Sequence, residues 1–129
     1  MWDLKFTVTD IQVDPICTSP HAEPPVNGHF VAVSIEATTG PEPEFSSVFP
    51  NGVGFGYGWK AIASNGTTAN TVMSNATYNC LESSELINGD IRAAEKVAGK
   101  VILDVPDAAG TLVFSNDGTA GWEWEYGTK

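Results

Sequence analysis

Apolar and polar residues alternate along several stretches of the chain, and clusters of turn-forming residues separate these stretches. The clearest alternation lies within residues 28–38, where Val31, Val33, Ile35 and Ala37 share one face. A period of two is the signature of a β-strand, because successive side chains point to opposite sides of the sheet. This segment is therefore predicted to be a strand that buries one face.

The same periodicity predicts further strands along the chain. Their approximate bounds are 4–13, 55–63, 71–74, 99–106, 111–115 and 121–126. In the first of these the apolar face switches near Asp10, which indicates a bulge or a strand that crosses between sheets. Residues 89–98 fit either a short helical turn or an extended connector, since their apolar stripe is barely three turns long.

About seven short strands separated by turns are typical of an immunoglobulin-like antiparallel β-sandwich. A small β-barrel is the alternative. The 129 residues suffice for one hydrophobic core, and no linker divides the sequence. We therefore predict a single all-β domain over residues 1–129.

The charge of the chain restricts its partners. Sixteen acidic and six basic residues give a formal net charge of −10. Nucleic acid is excluded as a partner, because binding to phosphates requires clustered lysine and arginine. An anionic membrane surface would also repel this chain unless a lipid anchor outside the given sequence held it there.

The two cysteines, Cys17 and Cys80, are far apart and belong to no metal-binding or redox motif. One disulfide that closes a long loop is the favoured interpretation, and two free thiols are the alternative. A disulfide would place the protein in an oxidising compartment.

Four segments together resemble a known family: 28–37, 99–106, 110–114 and 121–126. The family is an uncharacterised immunoglobulin-like domain of secreted proteins and lipoproteins from Gram-positive bacteria, similar to a small secreted immunogenic mycobacterial antigen. The chain differs from the family pattern in its long, aromatic segment 39–59. The resemblance implies an exported, extracellular or cell-envelope protein, freely secreted or lipid-anchored, and it carries no established activity.

Two aromatic groups are candidates for a binding role, with an unknown protein or glycan of the cell envelope as partner. The segment 39–59 combines glycines with Phe45, Phe49, Tyr57 and Trp59, and long loops in compact domains are often functional. On the last strand, Trp122 and Trp124 share one face, where they form either an exposed platform or part of the core. Protein–protein interaction is the first hypothesis, and a glycan or small molecule bound by exposed aromatics is the second.

Catalysis is not expected from this sequence. His21 and His29 are the only histidines, and no nucleophile motif accompanies them. The chain carries no phosphate-binding loop, dinucleotide fingerprint or zinc spacing, so neither a cofactor nor a metal is predicted.

Overall fold

A computed structural model of the chain describes residues 4–50, 52–55, 58–87, 91–115 and 121–127. It contains seven strands and three short helical segments in these ranges. The strands are β1 (Leu4–Val13), β2 (His29–Thr39), β3 (Trp59–Ala63), β4 (Thr68–Ala69), β5 (Lys96–Val105), β6 (Gly110–Phe114) and β7 (Trp122–Tyr126). The helices are α1 (Glu44–Val48) and α2 (Asn75–Asn79), followed by a 3₁₀ turn at Ser83–Glu85.

The strands form two antiparallel sheets, in the orders β1-β2-β5 and β4-β3-β6-β7. These orders match strands A-B-E and C′-C-F-G of an immunoglobulin-like sandwich, without a D strand among the described residues. The predicted all-β sandwich of about seven strands is confirmed. The register between β1 and β2 shifts between Val8 and Asp10, which is the bulge that the change of apolar face indicated.

The main core lies between the two sheets. It is lined by the inward-facing residues of β2 and β5 on one side and of β3 and β6 on the other. Its largest fully buried side chains include Phe45, Phe55, Phe114, Ile35, Leu103 and Leu112. Burial of this apolar surface is the main driving force for folding of the sandwich.

A smaller core lies on the outer face of the β1-β2-β5 sheet. We call it the satellite core, and it comprises Phe30, Ala32, Ala76, Cys80, Leu81 and Ile102. Phe30 and Ala32 belong to β2 and Ile102 to β5, whereas the other three belong to α2 and the residues after it. We call α2 and the residues after it, as far as Leu81, the cover, because this segment lies over part of a sheet face that would otherwise be exposed to water.

The disulfide Cys17–Cys80 is present and holds this cover in place. Cys17 lies in the connection between β1 and β2, and Cys80 follows α2 directly. The backbone N–H groups of Thr18 and Ser19 also donate to the Cys80 carbonyl, at 2.9 and 3.1 Å. The bridge thus joins two connections over one sheet, whereas the bridge of an antibody domain joins the two sheets.

A buried carboxylate stabilises the same end of the satellite core. Asp104 of β5 is fully buried, and it accepts hydrogen bonds from the backbone N–H of Val26 at 2.7 Å and of Asn27 at 2.8 Å. It also accepts one from the Ser74 hydroxyl at 2.8 Å. Buried charge is tolerated where hydrogen bonds replace hydration. Asp104 therefore joins the β1–β2 connection to the segment before α2.

Several segments differ from the sequence prediction. The strand predicted over 55–63 begins only at Trp59, and α1 lies within the segment that was predicted to be a long loop. Residues 71–74 form no strand, and α2 follows them; the backbone N–H of Ser74 donates to Thr77 Oγ1 at 3.2 Å, as in a capping box. Residues 91–95 contain no helix and lead through a turn into β5, which begins at Lys96. Of the two predictions for 89–98, the connector is therefore correct and the helical turn is wrong over the described part of that segment. Of the helices among the described residues, none is long and apolar enough to span a membrane.

Removal of the disulfide should destabilise the domain. The cysteines are separated by 63 residues, and opening a loop of that size costs about 4 kcal/mol in the chain-entropy model. We expect Cys17→Ser, Cys80→Ser and the double variant to show a similar decrease in the free energy of unfolding, measured by urea denaturation. A double variant as stable as the oxidised protein would contradict this.

Replacement of Asp104 by asparagine should also destabilise the domain. The amide retains the shape, but its NH₂ group faces the backbone donor of Val26 or Asn27, so a buried hydrogen bond is lost. We expect a loss of about 2 to 4 kcal/mol in the same measurement. Glu125→Gln, at an exposed position of β7, is the matched control and should change stability by less than about 0.5 kcal/mol.

Candidate functional site

The structure describes five of the six aromatic residues that the sequence predicted for binding, and it separates them. Phe45 and Trp59 are buried in the main core, with 1% and 4% of their surface exposed. Phe49 is partly buried against that core, and its ring lies 5.3 Å from that of Phe45. The position of Tyr57 lies outside the described residues. Phe45 and Trp59 are therefore structural residues, because a buried ring cannot contact a partner at the surface.

Trp59 illustrates why this segment turns inward. Its indole Nε1–H donates to the Phe55 carbonyl at 2.8 Å, and its ring lies 4.9 Å from that of Phe114. Both its polar atom and its apolar surface are thus satisfied inside the sandwich. A buried tryptophan on the third strand is also a feature of immunoglobulin domains.

The aromatics of the last strand behave differently. Along β7 the inward-facing residues become more exposed, from buried Tyr126 through partly buried Trp124 to Trp122, which is 47% exposed. β7 is an edge strand of its sheet, and β1, which is an edge strand of the other sheet, lies beside it. We call the line where they meet the β1–β7 seam and define it by Phe6, Trp122 and Trp124.

Ring contacts fix the aromatic side chains of this seam. The Phe6 ring meets the Trp122 ring edge-on, with centroids 4.9 Å apart and an interplanar angle of 75°, and its centroid lies 6.1 Å from that of Trp124. Trp122 also stacks at 6.0 Å on Phe114, which is completely buried. Trp122 is therefore a rigid side chain that is supported by the core and half open to solvent.

Backbone groups are also available at the seam. Within the described residues, β1 forms a ladder only with β2, and β7 only with β6, so the second edge of each strand has no ladder partner among those residues. The free edge of β5, in contrast, is partly covered: Ile87 N–H donates to the Lys100 carbonyl at 3.0 Å, and Asp104 N–H donates to the Val72 carbonyl at 2.7 Å. Unpaired edges are templates for the addition of another strand.

The polar side of β7 is acidic. Glu123 and Glu125 alternate with the tryptophans and are exposed on the other face of the strand. Tyr126 donates its hydroxyl hydrogen to the Asp107 carbonyl at 3.1 Å. Burial, and to a smaller extent the negative charge of Asp107, raises the pKa of Tyr126, so its phenol stays protonated at neutral pH. The strand thus presents a negative surface beside an apolar one.

The histidines do not form a catalytic group with a described hydroxyl. His29 Nδ1 lies 2.9 Å from the Asp14 carboxylate, on the surface. His21 contributes only its backbone N–H, which donates to Ser19 Oγ at 3.1 Å. In the part of the chain that the structure describes, no three residues among histidine, cysteine, aspartate and glutamate are grouped so that they could hold a metal ion.

The different burial of the two tryptophans gives a direct stability test. Trp59→Ala should lower the free energy of unfolding by about 3 to 5 kcal/mol, because it leaves a cavity in the core and an unpaired Phe55 carbonyl. Trp122→Ala should cost only about 1 to 2 kcal/mol, because half of that ring is already in water. Equal losses in urea denaturation would contradict the assignment of Trp122 as a surface residue.

Comparison with known proteins finds no similar family model, curated protein or solved structure. The resemblance to secreted immunoglobulin-like domains therefore stays a prediction. The β1–β7 seam contains Trp122, which belongs to the predicted aromatic site and is exposed in the structure.

Proposed function

We propose that this chain is a non-enzymatic binding module of the bacterial cell envelope and that it contacts a protein partner through the β1–β7 seam. The observation that carries the proposal is the position of Trp122, which is half exposed, rigidly supported and located between two strand edges that have no ladder partner among the described residues. Tryptophan at the centre of such a surface commonly contributes a large share of binding energy.

The unpaired edges favour a protein as the partner. An extended peptide can add a strand to β1 or β7 through backbone hydrogen bonds, while one of its side chains packs against Trp122. The exposed carboxylates of Glu123 and Glu125 favour basic side chains at alternate positions of that peptide. A sugar would use the exposed indole but not the ladder of backbone donors and acceptors.

The proposed location is extracellular, at the cell envelope. A disulfide that joins Cys17 and Cys80 supports an oxidising compartment, where such bonds persist. A lipid anchor outside the given sequence is compatible with this location, since the acidic domain itself would not adhere to an anionic membrane.

Binding of a glycan is the second candidate function, and one observation favours it. Trp122 offers an exposed indole next to a second aromatic residue, Phe6. Aromatic faces bind the apolar faces of sugar rings by burying surface. Trp124 is partly buried, so the platform would consist of one ring and not of two.

The proposal predicts that Trp122→Ala abolishes capture of the partner. The tagged wild-type domain and the variant would be incubated with an envelope extract, cross-linked, and compared by mass spectrometry. We expect a protein that is retained by the wild type and reduced at least about tenfold with the variant, since loss of a central tryptophan costs about 2 kcal/mol or more.

Tyr78→Ala is the matched control, because Tyr78 is an aromatic side chain of α2 with a similar exposure of 53%. It should retain the partner at the wild-type level. Equal capture by wild type and Trp122→Ala would reject the seam as the site. Loss of a bound oligosaccharide, with no change in any bound protein, would favour the glycan alternative.

A further inference from the structure

The outer strands of the two sheets are not equally open to the addition of another strand. Proteins protect such edges with very short strands, β-bulges, charged side chains or a covering segment. β4 has only two residues, and the edge of β5 is partly covered by backbone hydrogen bonds to Val72 and Ile87. The ladder of β1 is interrupted by the bulge between Val8 and Asp10. Among the described residues, three of the four outer strands thus have a protecting feature of the backbone.

β7 has no such feature within the part of the chain that the structure describes. Its five residues pair with β6 without a register shift, from Trp122 opposite Phe114 to Tyr126 opposite Gly110. The strand contains neither glycine nor proline, so its whole length can continue a ladder. Only the charges of its two glutamates protect it, and charge excludes some strands while it attracts others.

The charge at this edge is negative. Glu123 and Glu125 are exposed on the outer face of β7, and neither forms an ion pair with a described residue. The only other charged residue on the four strands of this sheet is Lys60 of β3. β6 separates β3 from β7, so Lys60 lies about 10 Å away by the ordinary spacing of strands. Lys5 of β1 lies on the outer face of the other sheet. The two carboxylates therefore leave an excess of negative charge at β7.

These carboxylates disfavour a second copy of the chain as the added strand. Antiparallel pairing of two β7 strands about their central residue, Trp124, would place Glu123 of one copy opposite Glu125 of the other. Like charges in opposite positions destabilise a sheet, and the net charge of −10 also opposes association of copies. A strand with basic side chains at the two positions would instead form two cross-strand ion pairs.

The inward side of the same edge is apolar. Trp122 and Trp124 alternate with the glutamates, and the Phe6 ring lies 4.9 Å from that of Trp122. Side chains alternate between the two faces of a strand, so a residue between two basic residues of an added strand would point to this side. An apolar residue there would cover the exposed half of Trp122.

We propose that β7, and not β1, is the edge that accepts the partner, and that the partner pairs with it through an extended segment of alternating basic and apolar residues. The basic residues lie opposite Glu123 and Glu125, and the apolar residue between them packs against Trp122 and Trp124. This inference rests on the proposed function, for which it specifies the strand edge and the sequence pattern of the partner.

The test uses the folded, oxidised domain and three capped heptapeptides. In the first, four lysines alternate with three valines; the second has the same composition with consecutive lysines; in the third, glutamate replaces lysine. Binding would be measured by isothermal titration calorimetry, and hydrogen exchange of backbone amides would locate the site by NMR. We expect the alternating lysine peptide to bind at least about fivefold more tightly than the other two, more weakly as salt is added, and with slower exchange on β7 but not on β1.

Methylation of the peptide's backbone nitrogens distinguishes strand pairing from attraction between charges alone. In an extended peptide the N–H groups of the lysines point to one edge and those of the valines to the other. Only one of these edges can face β7. N-methylation of one set should therefore abolish binding, whereas N-methylation of the other set should have little effect, and equal effects would overturn the proposal.

Two double variants with the same change in net charge test the glutamates. Glu123→Gln/Glu125→Gln should weaken binding of the alternating lysine peptide about fivefold. Glu36→Gln/Glu82→Gln, at exposed positions outside β7, is the matched control and should leave binding unchanged. The proposal is overturned if the alternating lysine peptide does not bind, if both double variants weaken it equally, or if the slower exchange appears on β1.

The proposed function and this inference fail in different experiments. Capture of the envelope protein by Trp122→Ala at the wild-type level rejects the seam, whatever the peptides show. Capture that requires Trp122 but is unchanged in Glu123→Gln/Glu125→Gln retains the seam as the binding site and rejects the basic segment.

Discussion

The structure depends on the burial of β2 on both of its faces. Its inward residues, such as Val33, form one side of the main core, and its outward residues Phe30 and Ala32 form part of the satellite core. A three-stranded sheet cannot bury its outer face by itself, so a separate segment has to cover it. The disulfide between Cys17 and Cys80 and the hydrogen bonds of Asp104 hold that cover against the sheet.

The cover extends over only part of the sheet, and this limit gives the outer face two different characters. Beneath α2 the face is apolar and buried; further along the same strands it carries lysines, Glu36 and hydroxyl groups. Gly99 lies near the boundary, where a side chain would come within 2.9 Å of the Ile87 backbone nitrogen. The absence of a Cβ there lets Ile87 approach β5 closely.

The two faces of strand β1 differ in character. Phe6 points inwards and forms part of the seam with Trp122, while its neighbours Lys5 and Thr7 point outwards to the outer face of the sheet. The period of two thus places an apolar anchor on one side of this edge strand and polar side chains on the other.

Most of the strands, the change of apolar face near Asp10 and the fold class could be predicted from alternation and turn residues. One disulfide was the favoured interpretation of the two cysteines, but the choice between a disulfide and two free thiols required the structure. The sequence could not distinguish Trp59 from Trp122, since both lie on strands with the same alternation. The tertiary structure separates the two residues: β3 is an inner strand on which the Trp59 ring is buried, whereas β7 is an edge strand on which the Trp122 ring is half exposed. The rows of side chains across β1, β2 and β5 likewise could not be predicted, because these residues are distant in sequence and meet only through the register of the sheet.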